Sequence, residues 1–177
     1  MKQLFFILLV MLGLSGSSMS AQRCHDRHHG HTRYDDRREW RHKSPYFITD
    51  NAVFFDGHEI DGASASSFII LHDGYAKDTW NVYYCGVAIN GASSNSFVVL
   101  GYGYAKDTWN VYYDGVKING ASSGSFKVLS DWYAKDTWNV YYDGIKINGA
   151  SPSSFKVLGD GYAKDTWNTY YCGELRN

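Results

Sequence analysis

The sequence has little proline and little cysteine, 2 and 3 in 177 residues. With 17% aromatic residues and 18 glycines beside so few prolines, the composition favours ordered, aromatic-rich β structure over disorder. An odd number of cysteines excludes a framework in which every thiol has an internal partner. Charge of one sign is also missing. The net charge is −1, made of seven Lys/Arg against four Asp/Glu in residues 22–45 (+3) and nine against fourteen in 46–177 (−5). Neither region makes a case for nucleic acid as a partner. No stretch carries the 3.6-residue periodicity of a long helix. The length excludes a large multidomain enzyme and allows one domain, or one domain and a tail.

The one apolar run is LFFILLVMLGL, residues 4–14. It follows Met1-Lys2 and precedes Ser-Gly-Ser-Ser-Met-Ser-Ala, the order of a secretory signal peptide over residues 1–21, cleaved after Ser20 or Ala21. It is shorter than the roughly 20 residues that span a bilayer, so no transmembrane helix is expected in the mature chain. Ala21-Gln22-Arg23 stands before Cys24 instead of a lipoprotein signal. Export to the periplasm, the cell surface or the medium follows, where disulfides persist. Residues 22–45 form a polar tether rich in His and Arg. His25, His28, His29 and His31, near Cys24, are candidate ligands for zinc, copper or nickel, although the guanidinium groups around them oppose a cation. No other cofactor is expected.

A 29-residue period organises the remainder. Tyr-Ala-Lys-Asp-Thr-Trp-Asn begins unchanged at Tyr75, Tyr104, Tyr133 and Tyr162, and one period earlier Tyr46 opens a diverged copy. The units run 46–74, 75–103, 104–132 and 133–161, with a half unit at 162–177. Tyr46, Val53, Phe54-Phe55, Asp56-Gly57, Ile60, Gly62-Ala63-Ser64, Phe68 and Leu71 keep the character of their counterparts, as fold-building positions should. Lys77, Asp78, Thr79 and Trp80 are replaced by Ile48, Thr49, Asp50 and Asn51.

Within a unit, Tyr104-Ala105-Lys106-Asp107 reads as a strand, Thr108-Trp109-Asn110 as a turn and Val111-Tyr112-Tyr113 as a second strand. Asp114-Gly115 is a two-residue hairpin turn. Residues 121–125 form a loop or a single helical turn, with Pro152 at a first helical position after a Ser cap, and Phe126-Lys127-Val128-Leu129 returns as a strand. A lone hairpin is marginal in water. The apolar face of Val111, Tyr113, Ile118, Phe126, Val128 and Leu129 therefore needs a neighbouring unit. The expected fold is all-β, an open solenoid-like stack of hairpin repeats; a small β-propeller is the alternative, although 29 residues is short for a blade.

These fixed offsets, Tyr-Ala-Lys-Asp-x-x-Asn-Val-Tyr-Tyr-Asp-Gly followed by Gly-Ala and Ser-Phe-Lys-Val-Leu, resemble the DKNYY repeat family of bacterial exported proteins over about residues 46–177. The units here read Asp136-Thr137-Trp138-Asn139 where that family places Lys and Asn after the Asp. The family is of unknown function, so the resemblance implies a secreted β-repeat and supplies no catalytic residues.

No Ser/His/Asp order, metal motif or phosphate loop stands out, which argues against an enzyme. Trp80, Trp109, Trp138 and Trp167, with Tyr83, Tyr112, Tyr141 and Tyr170, are the candidate ligand-binding set, a repeated aromatic surface for glycan or protein at the cell envelope. The competing reading puts each Trp into a hairpin turn or joint as packing. A spacer without ligand is the alternative function. Lys106 and Asp107, consecutive and so on opposite faces of a strand, are expected as solvated charges, cross-paired between units. Cys24, Cys85 and Cys172 are the disulfide candidates. Cys85 and Cys172 lie three periods apart, roughly 14 Å even at the spacing of adjacent strands, against a Cα limit of about 7 Å. A bond from Cys24 to one of them, or a bond between chains, is favoured.

Overall fold

A computed structural model describes residues 45–176. The expected signal peptide, and all of the His/Arg-rich tether but its last residue, lie outside the described residues, and with them Cys24, His25, His28, His29 and His31.

Five small antiparallel sheets follow one another along the chain, three-stranded over 46–59 and four-stranded over 69–88, 98–117, 127–147 and 156–176. Each is a meander of two- to four-residue strands. In the third sheet Tyr104 stands opposite Tyr113, Ala105 opposite Tyr112 and Lys106 opposite Val111. Directly opposed residues share a face. The Tyr104 and Tyr113 rings accordingly meet at 4.8 Å, while Ala105 and Tyr112 point the other way. Asp114 and Gly115 have φ of 46° and 77°, the pair of positive values that a type I′ hairpin requires.

The sheets are out of phase with the sequence units. Val98–Gly101, at the end of one unit, pairs with Tyr104–Lys106 at the start of the next, because Tyr102-Gly103 reverses the chain at φ 54° and 78°. The half unit at 162–177 thereby completes a full four-stranded sheet with Lys156–Gly159. The loops after the first three hairpins each contain one 3₁₀ turn, as at Ser123–Ser125. At Pro152 the equivalent stretch is a plain turn instead of the expected helical start.

Consecutive sheets are joined by shared cores. Tyr46, Val53 and Phe68 pack with Ala76 and Tyr83 of the following sheet; Tyr75, Val82 and Phe97 pack with Ala105 and Tyr112; and Tyr104, Val111 and Phe126 pack with Ala134 and Tyr141. The last core adds Phe155, Ala163, Tyr170 and Cys172 to Tyr133 and Val140. In each, a phenylalanine ring sits between two tyrosines, as Phe97 does 5.4 Å from Tyr75 and 5.6 Å from Tyr112. None of these cores links the first sheet to the last and no sheet closes on itself, so the array is open and the propeller alternative falls away.

A hydroxyl clamps each joint. Tyr75 donates to the Gly103 carbonyl at 3.0 Å and accepts from the Gly115 N–H at 2.9 Å. Tyr46, Tyr104 and Tyr133 repeat both bonds at the same offsets. Burial pushes the Tyr46 and Tyr133 hydroxyls up to about 12 and carries Tyr75 and Tyr104 higher. Gly115 also lies flat beneath Tyr84, where an added Cβ would come 2.6 Å from the Tyr84 Cβ.

Two alanine substitutions separate packing from backbone strain. Gly120 has a φ of 78° and open space around it, so Gly120→Ala should cost about 1–2 kcal/mol. Gly115→Ala adds the collision with Tyr84 and should cost about 3 kcal/mol or more; urea unfolding of the two variants checks the ranking. A raised folded-state pKa stabilises below the unfolded value near 10 and is lost as pH rises through the folded one. The array should therefore hold its stability up to about pH 10 and lose it toward pH 12, followed by circular dichroism.

Candidate functional site

The residue that shapes each unit is the aspartate of the Lys-Asp-Thr-Trp-Asn turn, expected as a solvated charge and found buried. Asp78, Asp107, Asp136 and Asp165 are all buried. Asp107 Oδ1 accepts from the backbone N–H groups of Trp109 and Asn110, both at 2.7 Å, and Oδ2 accepts from the Ser93 N–H and the Tyr112 hydroxyl, both at 2.9 Å. The same four donors, offset by +2, +3, −14 and +5 residues, surround Asp78, Asp136 and Asp165. Burial alone would raise these carboxyl pKa values, but the hydrogen bonds outweigh it and all four are lowered. The main chain around the carboxylate is tied as well. The Ser94 and Ser123 hydroxyls donate to the carbonyls of Asp78 and Asp107, and the Ser96 hydroxyl accepts from the Thr108 N–H at 3.1 Å.

The lysine does not meet an aspartate of another unit. Lys77, Lys106 and Lys135 donate instead to main-chain carbonyls of the loop between sheets, Ser94, Ser123 and Pro152, at 2.8–3.0 Å. The expected Lys–Asp cross-pairing fails because the carboxylate is already filled, by two N–H groups of its own turn, one of the preceding loop and a tyrosine hydroxyl of the next strand.

The candidate aromatic set divides. Tyr83, Tyr112, Tyr141 and Tyr170 are each 1% exposed and spend their hydroxyls on the buried carboxylates. They are therefore structural and not part of a ligand surface. Burial, followed by the bond to aspartate, lifts Tyr83 and Tyr112 to about 12. The tryptophans do the opposite. Trp80, Trp109, Trp138 and Trp167 are 78, 79, 74 and 83% exposed, so they do not fill the turns or the joints. Each is fixed at its backbone, its N–H turned inward onto the carboxylate and its ring carried outward. The result is four bare indoles, one in each unit after the first, each on a turn whose conformation is held from below.

Sequence reasoning missed the aspartate, although a signal was present. In the diverged first unit Thr49 replaces Asp78 and Phe54 replaces Tyr83, so the carboxylate and the hydroxyl that meet in space are lost together. Thr49 keeps a remnant of the motif, its Oγ1 accepting the Ala52 N–H at 3.0 Å.

Cys172 is buried and disulfide-bonded, whereas Cys85 is a free, exposed thiol, so these two do not pair with each other. The remaining cysteine of the sequence, Cys24, lies outside the described residues. Among the described residues no three His, Cys, Asp or Glu side chains gather as a metal would need, and no helix is long and apolar enough to cross a membrane.

Asp107→Ala leaves three N–H groups and a buried hydroxyl without their acceptor and should cost about 3 kcal/mol or more in urea unfolding. Trp109→Ala should stay within roughly 0.5 kcal/mol. The lowered aspartate values stabilise above the unfolded carboxyl value near 3.8 and withdraw that stability as pH falls through the folded ones. Thermal stability should accordingly be level above about pH 5 and drop below about pH 4, with Asp107→Asn flattening part of the drop.

The repeated turn with its aspartate, its paired tyrosines and its glycine also identifies the chain among known proteins. No curated protein and no solved structure matches it. A family match covers residues 46–174, well over half of the 177 residues, and the chain belongs to the DKNYY family.

Proposed function

We propose that this chain is an exported, non-enzymatic binding module of the bacterial cell envelope, whose four tryptophans together grip a repetitive polymer, a glycan before a protein. One observation carries the reading: Trp80, Trp109, Trp138 and Trp167 are about three-quarters bare or more, in units that bury the tyrosines beside them. A flat indole face suits the face of a sugar ring, and the ring N–H adds a polar handle. Because the turn backbone is fixed by the buried aspartate, little order is lost when the ring engages.

Multiplicity supports the same reading. Identical units offer identical weak sites, and linking such sites can raise overall affinity by roughly 10² to 10⁴. A catalytic centre needs an asymmetric constellation, which four copies of one heptapeptide do not provide.

The test is affinity electrophoresis through gels carrying envelope polysaccharide, with one, two and all four tryptophans changed to Ala. Retardation should fall with each substitution and vanish in the fourfold variant, with the melting curve unmoved. Retardation absent from the unmodified chain, or untouched in the fourfold variant, would overturn the proposal and leave a spacer without ligand.

A further inference from the structure

Every internal joint has two unlike halves. One unit supplies a buried tyrosine hydroxyl, such as that of Tyr75, and a second ring, Tyr84. The following unit supplies a carbonyl, Gly103, and an Asp-Gly turn, Asp114-Gly115, over which the Tyr84 ring lies. At the next joint the second ring also donates, Tyr113 to Asp143 Oδ1 at 2.6 Å.

The ends of the described array carry these halves without their complements. Tyr162 occupies the place of Tyr46, Tyr75, Tyr104 and Tyr133, yet it is 47% exposed where those are at most 6%. Among the described residues its hydroxyl has no hydrogen bond, and its one ring contact is Tyr171 at 4.7 Å. Tyr171 holds the place of Tyr84 and Tyr113, with the flexible Arg176 guanidinium 5.4 Å from its ring centre. At the other end Gly57 holds the place of Gly86, Gly115, Gly144 and Gly173. Each of those four meets an aromatic side chain within 3 Å of an added Cβ, whereas Gly57 meets nothing within 4 Å. Asp56 stands where Asp114 and Asp143 stand.

The apolar surfaces match as well. The C-terminal sheet, 156–176, lacks the phenylalanine that fills each internal joint. The N-terminal sheet, 46–59, has Phe47, 65% exposed, where later units have a fully buried alanine. The missing ring on one face is answered by an extra ring on the other.

We propose that copies of this chain associate head to tail, the C-terminal sheet of one docking on the N-terminal sheet of a second. The Tyr162 hydroxyl then bridges the Pro45 carbonyl and the Gly57 N–H of the second copy, and Tyr171 lies over that Gly57 with its hydroxyl on Asp56. The contact continues the joint that already holds the units together. Its two patches differ, so it is heterologous and extends into linear chains.

Sedimentation velocity of the purified chain tests it, in a Cys85→Ser background that removes the free thiol as a cross-link, from about 1 μM to 1 mM. Mass should rise with concentration through dimer to longer species. Phe47→Asp blocks one face and Tyr162→Asp the other; each alone should be monomeric, and an equimolar mixture should form a dimer that grows no further. Tyr162→Phe should weaken association about tenfold and leave the melting curve in place. A chain that stays monomeric throughout overturns the proposal. So does a dimer that survives in both blocked variants, which would mean a symmetric contact elsewhere.

Discussion

Each of the four units that open with Tyr-Ala-Lys-Asp is organised by one buried carboxylate that takes four hydrogen bonds. Removing an ionised aspartate from water costs several kcal/mol. At Asp107 that cost is offset by two N–H groups of its own turn, one from the preceding loop and one hydroxyl from the next strand. Only a carboxylate, with two oxygens and no proton of its own, accepts four donors at once. A single side chain thus pins three segments that would otherwise meet by apolar packing alone, in a unit whose strands are only two to four residues long.

Because neighbours share cores, stability runs along the array as a sum of joints. A hairpin of three-residue strands buries too little to stand alone. The Tyr75 hydroxyl reaches the next unit at two backbone points, Gly103 and Gly115, so docking is directional and fixes register as well as area. The Asp-Gly turn serves twice: positive φ reverses the chain, and the missing Cβ admits the preceding tyrosine ring.

Much of this was readable in the sequence. The period, the strands at Tyr104 and Val111, the Asp114-Gly115 turn and the need for stacking all follow from local pattern. The phase of the sheets was not readable, because a repeat has no natural starting point and Val98–Gly101 could be assigned to either neighbour until its pairing with Tyr104–Lys106 was seen. Asp107 was misread for a different reason. A carboxylate beside a lysine resembles solvated surface, and its true partners are mostly backbone N–H groups, which carry no sequence identity. Tyr112 followed it into error, since a tyrosine whose hydroxyl is to be satisfied inside looks like one meant for the surface. The tryptophans could not be placed from pattern at all, because Thr-Trp-Asn fits a plugged turn as well as a displayed one.

The first unit separates what builds the array from what the array displays. It keeps Tyr46, Val53 and Phe68, and with them the clamp on Gly74 and Gly86 and a full shared core. It lacks the aspartate, the tyrosine hydroxyl and the tryptophan, which Thr49, Phe54 and Asn51 replace. The three losses belong together: without a carboxylate the hydroxyl has no buried acceptor and would be stranded, and without the pinned turn an outward indole has no fixed platform. The converse holds in the other four units. An exposed tryptophan adds nothing to a core, so its unchanged recurrence beside the aspartate that holds it is no requirement of packing and supports the binding role proposed for it.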